Sequence, residues 1–210
     1  MNSLPGSSEA IAHLRQADPV LGGLIDRIGP CTLKAATRRT PFQALVRSVV
    51  YQQLNGSVAE KILGRVLALY PDARFPSAEQ LRDTPDDRLR GAGLSRAKTA
   101  ALKDIAAKTL EGIIPPAAII RRMSDEEIVE RLTVIRGVGP WTVQMFLIFT
   151  LGRADVLPAA DYGVRQGFAL VYGRKELPPP AELLDMGEKW RPHRTTAAWY
   201  FWRALDNETG

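Results

Sequence analysis

Residues suited to redox and metal chemistry are scarce in this chain. Cysteine occurs once, at Cys31, so no disulfide can close within it and no cysteine-built iron–sulfur or zinc centre is available. Histidine occurs twice, at His13 and His193, too few for a histidine-based metal site. Long apolar runs are missing as well. The longest strongly apolar stretch, 143–151, falls far short of the roughly 20 residues that a membrane-spanning helix needs. The amino-terminal MNSLPGSSEA lacks a basic-then-apolar signal pattern. These absences make a reducing, cytoplasmic setting without a membrane the expectation. Charge of one sign is in small excess, a formal net +5, which permits an acidic partner such as nucleic acid without requiring one.

What is abundant is helical periodicity. Phe42, Leu45, Val46, Val49 and Val50 repeat at i, i+3, i+4, i+7, i+8, with Thr40 placed to cap and Pro41 to open that helix. Val58, Ile62, Val66 and Leu69 form a second stripe. Thr84, Pro85, Asp86 and Asp87 read as a cap and first turn. Ser95 opens a helix to about Glu111, and Ser124 with Glu127 makes a capping box before Ile128, Leu132 and Ile135. Pro140 starts an apolar helix to about Leu151. Val164, Phe168 and Val171 mark another, and 195–206 the last; ELPPP at 176–180 reads as a rigid loop. No convincing strand emerges. The expectation is an all-α fold of about nine or ten helices with short connections.

Between two of these helices lies VIRGVGPWTV, residues 134–143. Gly137 and Gly139 allow positive φ and strip side chains from the turn. That bares the backbone amides of Gly137, Val138 and Gly139 at the start of the next helix, a place suited to an anion such as a phosphodiester. LRGAGLSRAK upstream echoes the pattern, with Gly91 matched to Gly137, as a duplicated helix-hairpin-helix would.

The stretch LTVIRGVGPWTVQMFLIFTLGRADVLPAADYGVRQGFAL, with YQQLNGSVAEKI before it and WRPHRTTAAWYFWR after it, resembles the helix-hairpin-helix DNA glycosylases. It is most similar to their alkyladenine branch, the 3-methyladenine DNA glycosylase II type. The resemblance spans roughly residues 10–206, in a compact form without the amino-terminal β domain that bacterial relatives often carry. It implies two helical subdomains with an active-site cleft between them. One is about 36–150 with its hairpin at 134–141; the other joins about 1–35 to 151–210.

The resemblance also assigns roles. Asp161 is the implied catalytic residue. One carboxylate suffices for an alkylated purine, because the cationic base leaves without a second acid and the carboxylate need only stabilise the oxocarbenium-like sugar and orient water. Asp161 also stands where it would cap the following helix, and the two roles are compatible. Nearby Asp155 reads as a loop-packing residue. Trp141 and Trp202 match the family's base-pocket tryptophans, with Tyr162 beside them and Met145 where relatives often carry an aromatic. Trp190 and Trp199 read as core. In YQQLNGS, between two helices, Leu54 is the candidate DNA wedge, Gln53 its rival and Gln52 a polar neighbour; Leu54 equally suits the last core position of its helix. Arg96, Lys98 and Arg165 are possible phosphate contacts. A structural Na+ or K+ at the carbonyls of Val134, Arg136 and Gly139 is implied, with no catalytic metal and no other cofactor.

The implied activity is that of a monomeric, monofunctional glycosylase that removes alkylated purines from double-stranded DNA and starts base excision repair. A bifunctional glycosylase/lyase needs a nucleophilic lysine, and where such relatives carry it this chain has Trp141. A non-catalytic helix-hairpin-helix DNA-binding module is the other alternative; it needs neither Asp161 nor the two tryptophans.

Overall fold

The computed structural model describes residues 5–36 and 38–206. In chain order these form thirteen α-helices. They are α1 (Ser8–Ala17), α2 (Pro19–Ile28), α3 (Pro41–Tyr51), α4 (Gly56–Leu67), α5 (Ala78–Asp83), α6 (Asp86–Gly91) and α7 (Arg96–Leu110). There follow α8 (Ala117–Ile120), α9 (Asp125–Thr133), α10 (Pro140–Phe146), α11 (Tyr162–Val171), α12 (Pro180–Met186) and α13 (Arg194–Asp206). A π-helical segment, Leu147–Leu151, continues α10, and a 3₁₀ turn, Gly187–Trp190, follows α12. No strand occurs among the described residues, so the all-α expectation holds. None of their helices is long and apolar enough to cross a membrane. The helix count exceeds the expected nine or ten because α5, α8 and α12 are too short to show a periodic stripe.

Caps set most of the helix starts. Thr40 with Gln43, Ser77 with Gln80 and Ser124 with Glu127 form complete capping boxes. Each such cap stabilises by about 1 kcal/mol. Thr84 departs from its expected role. It is the C-cap of α5, with its hydroxyl 2.7 Å from the Gln80 carbonyl and 2.6 Å from the Tyr70 hydroxyl, and α6 starts after Pro85 with no side-chain cap. Pro180, expected in a rigid loop, opens α12, where a proline at the first turn loses no hydrogen bond.

The chain divides into two compact units. One contains the residues up to Ala36 and those from Leu147 onward; the other contains the intervening residues to Phe146. In the first unit α11 packs on α13, and α1 and α2 pack on each other and on α13. Its core is built from Leu14, Leu21, Ile25, Phe168, Trp190 and Phe201, with Trp199 also buried. In the second unit α7 is central. It packs against α3 and α5, while α10 packs on α9 and α3. The apolar stripe of α3, Leu45, Val46, Val49 and Val50, is fully buried there, as are Leu102 and Ile105 of α7.

One buried acid organises the first unit. Asp18 is 1% exposed. Its Oδ1 accepts from the amides of Val20 and Leu21, capping α2. Its Oδ2 accepts from the Trp190 indole at 2.8 Å, from the Lys189 ammonium at 2.9 Å and from the Tyr172 hydroxyl. Burial alone would raise its pKa, but the donors Tyr172, Lys189, Trp190 and the Leu21 amide outweigh burial and hold the carboxyl below its usual range. The stabilisation is therefore complete above about pH 4 and is lost as the pH falls below that, once the folded-state carboxyl is protonated. Asp18→Asn leaves Lys189 without its counter-charge and offers an N–H where an acceptor is needed. The expected loss is about 2–4 kcal/mol in urea unfolding at pH 7, shrinking toward pH 3; an unchanged midpoint would show that the cluster contributes nothing.

Candidate active site

In the first unit, the stretch that carries Asp161 is tied down by the start of α13. The Thr195 hydroxyl donates to the Arg153 carbonyl at 2.7 Å and accepts from the Val156 amide at 3.0 Å. The Thr195 amide donates to the Ala154 carbonyl. Asp155 accepts from Arg194 Nε and from Arg191, each at 2.7 Å, which fits its expected packing role. The chain then turns through Pro158, whose carbonyl accepts from the Asp161 amide, into α11.

Asp161 caps α11. Its Oδ1 accepts from the Val164 amide and from the Trp202 indole N–H, each at 2.8 Å. The carboxylate thus sits at a helix N-terminus, where the dipole favours negative charge, and two donors fix its direction. Trp202 is committed to this bond by its edge, and one face stacks on Phe149 with centroids 5.8 Å apart. Tyr162, the first residue of α11, is 64% exposed.

Two glycines allow this arrangement. A Cβ on Gly163 would lie 3.0 Å from Trp202 Cδ1 and 3.2 Å from Asp161 Oδ1. A Cβ on Gly167 would lie 2.0 Å from the Phe201 carbonyl oxygen. Spaced four apart on α11, the pair brings its backbone against α13 and puts Trp202 within reach of Asp161. Neither glycine is among the site residues expected from the sequence, nor is Phe149. DYGVRQG carries the glycine signal, whereas Phe149 sits in an apolar run that reads as buried helix. It is 38% exposed in a π turn whose Phe149 carbonyl accepts from the Ala36 amide.

The second unit carries the hairpin and the candidate wedge. Gly137 has φ +76°, and a Cβ there would lie 2.9 Å from Ala101 Cβ on α7. Gly139, expected to share that conformation, does not have positive φ, and a Cβ there would meet nothing within 4 Å. So Gly137 is a conformational and packing requirement, while Gly139 keeps the backbone open to approach. Val138 is a buried plug whose amide donates to the Ile135 carbonyl, so it is not the bare donor expected. Among the described residues no group accepts from the amides of Gly137 and Gly139. The upstream echo is real but shifted. Gly93, not Gly91, has positive φ, and like Gly137 it stands three residues before the next helix; Gly91 ends α6.

Trp141, second residue of α10, is 41% exposed, and Met145 is half-buried one turn on. Gln53 holds a left-handed φ of +56°, a conformation that costs a side-chain-bearing residue about 1–2 kcal/mol. Leu54 follows it and is exposed. Of the expected phosphate contacts, Arg96 is exposed at the first position of α7. The other two are engaged elsewhere. Arg165 donates to the Pro178 carbonyl, and Lys98 donates to the carbonyls of Val50 and Gln52, with partial burial pushing its pKa down. Neither engagement is visible in the sequence, because each partner is a backbone carbonyl brought near by packing.

Comparison with known proteins places these features in a family. Residues 46–192 match the family described as HhH-GPD superfamily base excision DNA repair protein. The chain is 38% identical over 170 residues to DNA-3-methyladenine glycosylase 1 of Schizosaccharomyces pombe, covering 81% of this chain and 75% of that one. The solved structure of a Schizosaccharomyces pombe 3-methyladenine DNA glycosylase in complex with abasic DNA superposes with a TM-score of 0.86 at 36% identity, covering 93% of this chain and 96% of that one. A DNA-3-methyladenine glycosidase from Bacillus halodurans gives the same TM-score at 32% identity, covering 100% of this chain and 94% of that one.

The indole–carboxylate bond makes a test in the free protein. Gly163→Ala is expected to shift the Trp202 ring by a few tenths of an ångström and weaken its bond to Asp161. The Trp202 Nε1–H proton should then lose its charge-assisted downfield position in the NMR spectrum and exchange faster with water, as it should in Asp161→Ala. An unshifted resonance in Gly163→Ala would show that the ring has room to spare.

Proposed function

The chain belongs to the HhH-GPD superfamily of base excision DNA repair proteins, and from that premise we propose how its residues carry out the reaction of a monofunctional DNA-3-methyladenine glycosylase. The substrate is an alkylated purine nucleotide in DNA. Alkylation on a ring nitrogen gives the base a positive charge, so the N-glycosidic bond breaks with its electron pair going to the base, which departs neutral. Positive charge develops on the deoxyribose, water adds at C1′, and its proton passes to the carboxylate or to solvent. An abasic site remains.

The observation that carries this reading is Asp161. A carboxylate held by the Val164 amide and the Trp202 indole cannot swing away, so its charge is preorganised for an oxocarbenium-like sugar. Trp202 thereby acts on the acid as well as having an aromatic face. The exposed ring of Trp141 offers a cationic base a π face worth about 0.5–2 kcal/mol. A base inside a duplex must first leave the stack, and Leu54 is assigned to fill the space it vacates. The bare amides of Gly137 and Gly139 are assigned to a phosphate. The Na+ or K+ belongs to the same proposal. Its candidate carbonyls are those of Val134, Arg136 and Gly139; the last accepts from the Val143 amide and keeps a second lone pair.

Asp161→Asn retains an oxygen acceptor for both donors and removes only the charge. Base release from alkylated duplex is expected to fall by about 10²-fold or more, with binding to an abasic duplex changed by less than about threefold. Undiminished release would remove Asp161 from the chemistry. Borohydride added during turnover should trap no covalent DNA adduct with the wild type; a trapped adduct would restore the lyase reading, since only an amine nucleophile forms a reducible Schiff base.

A further inference from the structure

Polar contacts among five residues of the second unit, Val50, Gln52, Lys98, Gly137 and Thr142, join the candidate wedge loop to the hairpin in a way that the reaction itself does not need. Helix α3 ends at Tyr51, leaving carbonyls without intrahelical partners. The ammonium of Lys98, from the first turn of α7, donates to two of them, Val50 and Gln52, each at 2.7 Å. The Gln52 side-chain nitrogen donates to the Gly137 carbonyl at 3.0 Å and to the Thr142 hydroxyl at 2.9 Å. One amide thus holds both the glycine turn and the first turn of α10, and Thr142 is buried.

Next to these anchors stands Gln53 in its left-handed conformation, followed by Leu54, whose amide donates to the Tyr51 carbonyl at 3.3 Å. A side chain stays in that conformation only where its surroundings over-determine it. Released from Lys98 and Gln52, the loop could relax at Gln53, and Leu54 would change direction with it. A wedge that must resist restacking of a base pair needs a stiff base of its own.

We propose that Gln52 and Lys98 are positioning residues that lock the Leu54 loop to the Gly137 hairpin, so that insertion into the base stack and docking on the DNA backbone form one coupled event. The proposal rests on the assignment of Leu54 as the wedge. It gives Lys98 a role other than phosphate contact, and it makes Gln52 an internal strut and not a reader of bases.

The test is a double-mutant cycle on a duplex with a tetrahydrofuran abasic analogue beside 2-aminopurine, read as dissociation constant and as the fluorescence rise on unstacking. Lys98→Met and Gln52→Glu are each made alone and in a Leu54→Ala background, with thermal midpoints measured in parallel. Each single variant is expected to weaken binding about tenfold and to lose most of the fluorescence rise, while adding little once Leu54 is gone. Lys98→Arg, which can still donate to two carbonyls, should restore much of both signals. Should Lys98→Met not fold, Gln52→Glu completes the cycle. Equal fold-losses with and without Leu54, or no loss at all, would overturn the proposal. If Leu54→Ala itself binds and unstacks like wild type, the wedge assignment fails and the proposal with it. Base release by the wild type, and its loss in Asp161→Asn, would still decide the glycosylase reading separately.

Discussion

The bond from the Trp202 indole to the Asp161 carboxylate is the interaction on which the proposed chemistry depends. It depends on the close approach of two helix backbones. Gly163 and Gly167 let α11 lie against α13, and a methyl group at either position would meet the indole or the Phe201 carbonyl. The approach fixes where Trp202 stands, Trp202 and the Val164 amide fix the direction of Asp161, and in the proposed reaction a fixed charge avoids reorganisation when positive charge forms on the sugar. The anchoring of the preceding loop by Arg194 and Thr195 serves the same end, because a cap on a wandering loop would not be preorganised.

Asp18 and Asp161 show one residue type used in two ways within one unit. Both cap helices. Asp18 is surrounded by donors from α2, from Tyr172 just past α11 and from the Lys189–Trp190 turn, is buried, and fastens the unit together. Asp161 is half-buried, and its Oδ1 accepts from the Val164 amide and the Trp202 indole. Helix capping is common to both; burial is what separates them, Asp18 being 1% exposed and Asp161 half-buried.

The hairpin divides its work between its two glycines. Gly137 answers an internal demand, left-handed backbone against Ala101, and Val138 plugs the turn into the core. Gly139 answers no internal demand, which fits a backbone left bare for a partner to approach. The Gly93 turn reproduces the conformation without the bareness, since Ser95 follows and caps α7 by accepting from the Lys98 amide. Duplicated geometry does not imply duplicated function.

The sequence by itself determined the helical class, most helix starts including the Asp161 cap of α11, and the hairpin. These follow from periodicity, capping residues and glycines, which act within a few residues and leave local signatures. The resemblance to a glycosylase family rested on the same local strings. Tertiary structure decided the rest. Lys98 and Arg165 read as candidate phosphate contacts, and packing put backbone carbonyls in front of them. Thr84 read as the start of α6 until Tyr70 and the end of α5 claimed its hydroxyl. Phe149 gave no signal of its own until the π turn left it exposed against Trp202. Trp202 read as a flat wall until its N–H met Asp161, 41 residues away in the chain. Each of these outcomes depends on a partner distant in sequence, and chain order carries no record of such distances until the helices pack.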